Sequence, residues 1–407
     1  MKNKIIKLTI FSLILINEAS AFNFEAPVLL ARSNVSESFN LPPQTYLNNV
    51  APVINNSGDV AFKVIASGEE GLQGIWVKAH NDSAGKILID APEDYVITDP
   101  SINDSGKITY SLFDEVSSLG VYTYDIFSFK NEHVIDAAKE EIKFFTYPSI
   151  INNNVIYFRG TDKFDDRAIY SKDNKLVTLF SEGTDVLDNS GSYIFKPSIN
   201  QSGRMAFKLR LGKKGDWDES RSDVIALFDP NYSDEKNKTH IKFLATDKDY
   251  DQRSPYLSFL NSVSLSNAGH VAFAAVIEDH RIGAFLIMPT GETKRIALEN
   301  EDDVLNIETF SIRVNALGHV LFRGKDKEGK RAIFFQNGDK LQKLIRESDE
   351  VNTDLGIGKI LDNQYYPGFS GEVDLNDVDQ IVFGAVIQNS KDNHEWGQGI
   401  FLINPVK

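Results

Sequence analysis

The sequence predicts an all-β protein: a seven-bladed β-propeller with four strands per blade, its ring closed by the N-terminal strand completing the last blade. Three observations carry this. A thirteen-residue string recurs seven times along the 407 residues, two further strand-like segments recur between its copies, and the one copy missing from the last series stands at the other end of the chain.

The string is plain in "PVINNSGDVAFKV" at 52–64, "PSINDSGKITYSL" at 100–112 and "PSINQSGRMAFKL" at 197–209. It returns as "PSIINNNVIYFRG" at 148, "VSLSNAGHVAFAA" at 263, "IRVNALGHVLFRG" at 312 and "VDLNDVDQIVFGA" at 373. Successive starts lie 48, 48, 49, 66, 49 and 61 residues apart, and periods of this size belong to propellers or solenoids.

Each copy reads as a hairpin. A short apolar strand ends at an Asn-x-x-Gly turn, where Gly58, Gly106, Gly203, Gly269 and Gly318 supply positive φ. Asn154 and Asp379 replace the glycine in two copies, and they are the residue types that best tolerate that backbone region. Asn55, Asn103, Asn200, Asn315 and Asn376 are placed to bond local backbone. An aromatic follows four residues after the turn position, as Phe62, Tyr110, Phe158, Phe207, Phe273, Phe322 and Phe383; these rings are expected to pack neighbouring sheets together. His270 and His319 follow the turn glycine and are expected in solvent.

A third strand recurs as "GIWV", "GVYTY", "AIYS", "VIALF", "GAFLI", "AIFF" and "GIFLI", and a fourth as "KILID", "HVIDA", "KLVTLF", "IKFLAT", "KRIALE" and "QKLIRE". The fourth series has six members, and "PVLLARS" at 27–33 has the look of the seventh. Closing a ring with that strand hides the free sheet edges an open array would expose.

Residues 1–21 are set apart as a secretory signal. Lys2, Lys4 and Lys7 precede an apolar run from Leu8 to Ile16, and Ala19-Ser20-Ala21 supplies a small-residue cleavage pattern. The expectation is an exported protein, periplasmic or extracellular, whose mature chain starts at Phe22 and forms one propeller domain over 22–407. No membrane span is expected after signal removal, and a monomer is expected. The chain has no cysteine, which excludes disulfides, thiolate metal sites and a Cys nucleophile. Its net charge is −15, and −17 once the three Lys and one Glu of the signal are gone; such a field disfavours nucleic acid as a partner.

The string N-x-x-G-x-x-x-F, as in "NNSGDVAF", "NQSGRMAF" and "NALGHVLF", resembles the bacterial exported proteins described by NxxGxxxF tandem repeats, over essentially the whole mature chain. The resemblance implies an exported propeller and no established reaction. Some members carry a C-terminal surface-sorting segment, which "GIFLINPVK" does not resemble.

Candidate sites follow from the expected topology. Loops joining the second to the third strand open on the same face as the links between blades, and the longest are 209–223 and 385–399, with the inter-blade stretch 246–259 beside them. Trp217, His280, His394 and Trp396 fall on that face as binding candidates for a glycan or protein ligand, although each Trp could instead close a loop on its own blade. Asp247, Asp249 and Asp251 alternate like a calcium loop, but Gln252 and Ser258 stand where the Gly and closing Glu belong; a solvated acidic loop is the expectation, with calcium as the weaker alternative, and no cofactor and no other metal site are expected. A second reading is an enzyme by fold analogy. Some secreted seven-bladed propellers are polysaccharide lyases, which use a cation to neutralise a uronate carboxylate and a Tyr or His to move the proton. Tyr147, Arg159, Tyr193 and Arg210 are the candidates for that chemistry.

Overall fold

The computed structural model describes residues 23–34, 37–42, 45–47, 50–66, 73–92, 94–187, 189–216, 218, 220–233, 240–310, 312–338, 340–363 and 365–406. The expected signal segment and Trp217 lie outside the described residues. Seven antiparallel sheets form the seven blades of a propeller. Blade 1 runs outward from Val53–Ile54 through Val60–Ala66 and Gln73–Lys78 to Lys86–Asp90. Blade 7 takes Phe369–Leu375, Ile381–Asn389 and Glu395–Ile403 from the end of the chain and its outermost strand, Val28–Ser33, from the beginning. That strand pairs from Val28 against Leu402 to Ser33 against Gln398.

The closure is stitched by a buried charge. Arg32, 1% exposed, grips Asp354 through Nε and Nη2 at 2.8 and 2.7 Å and donates from Nη1 to the Trp396 carbonyl at 2.8 Å. Asp354 lies at the tip of an extra hairpin, Glu350–Thr353 with Gly356–Ile360, that joins the blade 7 sheet. This hairpin accounts for the 61-residue interval.

The seven aromatics of the repeat are all at most 1% exposed. Six stack on an aromatic of the neighbouring third strand, among them Phe62 on Trp76 at 4.6 Å and Phe322 on Phe334 at 5.3 Å; Phe207 instead faces Ala226. The turns behave as their residues dictate. Gly58, Gly106, Gly203, Gly269 and Gly318 have φ between 75° and 91°, and their substitutes Asn154 and Asp379 sit at 67° and 63°.

In the five turns that have one, the asparagine does two jobs. Asn55 Oδ1 accepts the N–H groups of Ser57 and Asp59, fixing its own turn, while Nδ2 donates to the Asn103 carbonyl of the next blade at 2.8 Å. The same inter-blade bond runs from Asn103 to Ile151, Asn200 to Ser266, Asn315 to Asn376 and Asn376 to Asn55. The repeat therefore writes both the hairpin and an inter-blade tie at five of the seven junctions, Ile151 and Ser266 taking the asparagine's place at the other two.

Two local expectations differ. His270 and His319 are not in solvent, because they fill the seam between blades: His319 Nδ1 lies 2.8 Å from Asp379 Oδ1, and burial pushes the His270 imidazole below its usual range, with His319 adding to the effect. One helical turn, Ala137–Glu140, links blades 2 and 3, capped where Asp136 Oδ1 accepts the Lys139 N–H at 3.1 Å.

Candidate functional site

The innermost strands line a central channel with a cavity of ≈ 660 Å³, within the roughly 300–1,000 Å³ of small-molecule sites. Its two ends differ because two columns of the repeat face it. At the turn end, the residue after each turn asparagine bonds to its neighbour: the Asn56 N–H to Asp104 Oδ1 at 2.9 Å, Asp104 to Asn152 at 2.9 Å, Gln201 to Asn267 at 3.0 Å and Asp377 to Asn56 at 2.8 Å. Where blade 6 has Ala316, Asn267 reaches past it to Asp377 Oδ2 at 2.8 Å. This end is a knitted ring of amides and carboxylates.

The other end opens on the face of the inter-blade links. Its chemistry comes from the residue immediately before each repeat copy: Asp99, Tyr147, Lys196 and Glu372, with Ala51 and Ser262, all line the channel. Lys196 Nζ bonds both Glu372 oxygens, at 2.9 and 3.1 Å, so blades 4 and 7 are tied together at the mouth. Arg313 also donates to Glu372 and reaches Asp374 Oδ1 at 3.2 Å. Burial works to raise the Glu372 carboxyl, but Arg313 and Lys196 overcome it and hold it at about 2. Burial raises the Asp374 carboxyl against the pull of Arg313, and burial by the channel walls raises Asp99, partly offset by Lys63 and Lys196.

Three of the four residues expected for acid–base work meet here. Tyr147 precedes Pro148 in a register shift of its strand, with φ of 56°, a left-handed backbone uncommon for a bulky residue. That bulge aims a 41% exposed ring into the channel. Arg159 lies 5.3 Å from the centroid of Tyr147 and 5.9 Å from that of Tyr193, and Lys196 lies 5.2 Å from the Tyr147 centroid. Arg159 is anchored by Thr146 Oγ1 at 3.2 Å and the Ile194 carbonyl at 2.8 Å, and among the described residues it forms no salt bridge. Phe310, 65% exposed, completes the aromatic rim.

Arg210 does not join them. It stands beside Tyr193 in register, but its side chain is buried and forks onto Asp223 at 2.8 and 3.1 Å, with Lys208 on the same carboxylate at 2.9 Å. The binding candidates also scatter. Trp396 lies in the strand Glu395–Ile403 and not on a loop, half-buried against the blade 7 core, because the hairpin strands extend through most of 385–399. His280 is an exposed turn residue with φ of 63°, and His394 is exposed on the Asn389–His394 turn; neither lines the channel. Asp247 is buried, with Oδ2 accepting the Asp223 N–H at 2.5 Å and Oδ1 the Tyr250 N–H at 3.0 Å. Glu182, Glu299 and Glu347 hold the same place after the fourth strand in other blades and likewise accept backbone N–H groups. Among the described residues, no group of three or more His, Asp or Glu side chains stands close enough to hold a metal ion.

The fold and this mouth define a β-propeller with a chemically varied channel entrance. The chain belongs to a family of unknown function (DUF7453), whose model matches residues 37–285. No functionally curated protein matches it. Similar solved structures include an oligogalacturonate lyase in complex with manganese (9% identity, 95% of this chain and 98% of that one, TM-score 0.56) and an oligogalacturonate lyase from Vibrio parahaemolyticus (10%, 94% and 98%, 0.55). The β-propeller domain of the Trilobed protease from Pyrococcus furiosus is also similar (11%, 89% and 98%, 0.55). At such identities the likeness is one of fold. No helix among the described residues is long and apolar enough to cross a membrane.

Proposed function

We propose that this is an exported propeller, resembling the NxxGxxxF-repeat proteins, that acts as a binding scaffold and seats a glycan, peptide or protein ligand at the channel mouth. The observation that carries the reading is Tyr147: a strained backbone ahead of Pro148 presents its ring beside two cations in an open cavity. Strain of this kind persists where the surroundings over-determine it, and it concentrates at functional sites. The test is a panel of oligosaccharides and peptides on the intact protein. Tyr147→Ala and Phe310→Ala should abolish binding, whereas unchanged binding in both would sink the reading. Export is tested by sequencing the N-terminus of the mature protein, expected at Phe22.

A second reading, a polysaccharide lyase, is favoured by the meeting of Tyr147, Arg159 and Tyr193 at one mouth. In that reaction Arg159 neutralises a uronate carboxylate and a Tyr takes the proton from the adjacent carbon. The bond from the next carbon to the leaving-sugar oxygen breaks, a carbon–carbon double bond forms, and the departing oxygen is protonated. One oligogalacturonate lyase of this fold is in complex with manganese; the described residues here offer no group of three or more His, Asp or Glu side chains that could hold a metal ion, so no step is assigned to a metal. A rise in ultraviolet absorbance from unsaturated sugar, abolished by Tyr147→Phe or Tyr193→Phe, would favour this reading over the scaffold.

A further inference from the structure

Resting on the reading of the mouth as a ligand site, we infer that its ligand is a carboxylate-bearing sugar, held with its carboxylate between Arg159 and Lys196 and a ring face on Tyr147. Charge comes first. The chain as a whole carries −15, so an anion approaches this protein only where cations are gathered locally. Its three cations at the mouth, Arg159, Lys196 and Arg313, line the cavity beside the carboxylates of Asp99, Glu372 and Asp374.

The three are not equivalent. Arg313 is consumed by Glu372, Asp374 and the Ile312 carbonyl. Arg159 has its Nε and Nη1 fixed by Thr146 and Ile194, which aims the guanidinium without neutralising it. Lys196 is bonded to Glu372 and remains 42% exposed. Glu372 shows what a carboxylate experiences at this place: two cations hold it ionised at about 2 in spite of burial. A ligand carboxylate beside Arg159 meets a guanidinium that forms no salt bridge among the described residues, with Lys196 shared between it and Glu372.

The aromatic faces decide between acidic ligands. Tyr147 and Phe310 are exposed at the rim, and Tyr193 and Phe195 line the same cavity. Flat rings interleaved with cations match a pyranose, whose C–H face stacks while its carboxylate pairs. Ser149, Asn261 and Thr309 on the same walls offer partners for hydroxyl groups.

The experiment is calorimetric titration of the intact protein with trigalacturonate, its fully methyl-esterified form, and a short apolar peptide with either a free or an amidated C-terminus. The expected result is binding of the acid at least about tenfold tighter than the ester, weakened at least about tenfold by Arg159→Gln and by Lys196→Gln, with unchanged near-ultraviolet circular dichroism confirming that both variants fold. Equal binding of acid and ester overturns the carboxylate seat and leaves the mouth as a glycan site. Carboxylate-dependent binding of the peptide alone, or no binding by either sugar, overturns the sugar assignment and leaves the scaffold reading standing. Acid binding untouched by both substitutions and by Tyr147→Ala places the ligand elsewhere and overturns both.

Discussion

The Nδ2 of Asn376 donates to the backbone carbonyl of Asn55 at 2.8 Å, across 321 residues of sequence, and ties the last blade to the first. The same side chain accepts the N–H groups of Val378 and Gln380 through Oδ1. Asn376→Ala loses both functions and should cost about 1–3 kcal/mol, read as a lower denaturant midpoint. Asn376→Asp keeps the turn acceptors and loses the inter-blade donor, so it should also destabilise; if it matches wild type, the inter-blade tie contributes nothing.

Arg32→Ala leaves Asp354 without its bidentate partner at the closure seam. Breaking one side of a buried pair costs about 3 kcal/mol. The loss should appear as earlier unfolding in urea, and an unchanged midpoint would mean that Val28–Ser33 closes the ring without it.

Glu372 gives a pH signature with a definite sign. Its carboxyl is held at about 2, below the ordinary 4.5. The stability it contributes is therefore complete above about pH 4.5 and lost as pH falls towards 2. Asp99 and Asp374, raised by burial, act in the opposite direction, so the variant comparison isolates the effect. Glu372→Gln should unfold at lower temperature than wild type above pH 5, the gap closing towards pH 2. A gap independent of pH would contradict the ion-pair account.

Tyr147 carries a backbone conformation that glycine adopts freely. Tyr147→Gly should leave stability unchanged or raise it by up to about 1 kcal/mol, while ligand binding is lost. Marked destabilisation would make the ring a structural element and not a site.

The architecture was legible because each blade repeats the same physical demands. Positive φ at Gly58 and its equivalents, an asparagine to bond the turn, and a ring such as Phe273 to fill the space between sheets are local requirements that sequence must state. The closing strand was legible by its absence from one end and its presence at the other. The site was only partly so. Tyr147, Arg159 and Tyr193 converge, but Lys196, Arg313, Glu372 and Phe310 were missed, because a channel entrance is assembled from one or two residues of each of several blades. The signal was available in the column preceding each copy, where Asp99, Tyr147, Lys196 and Glu372 vary while the string after them repeats. Arg210 misled because its partner Asp223 lies across a loop, and Trp396 because a polar stretch folded as a hairpin strand.

The claim that the channel mouth seats a carboxylate-bearing sugar is tested most directly by hydrogen–deuterium exchange of the intact protein with and without trigalacturonate. The account expects protection confined to the backbone around Tyr147 and Arg159, Tyr193 to Lys196, and Thr309 to Phe310, with the turn end around Asp104, Gln201 and Asp377 unaffected. Protection at the turn end, or none anywhere, would contradict it.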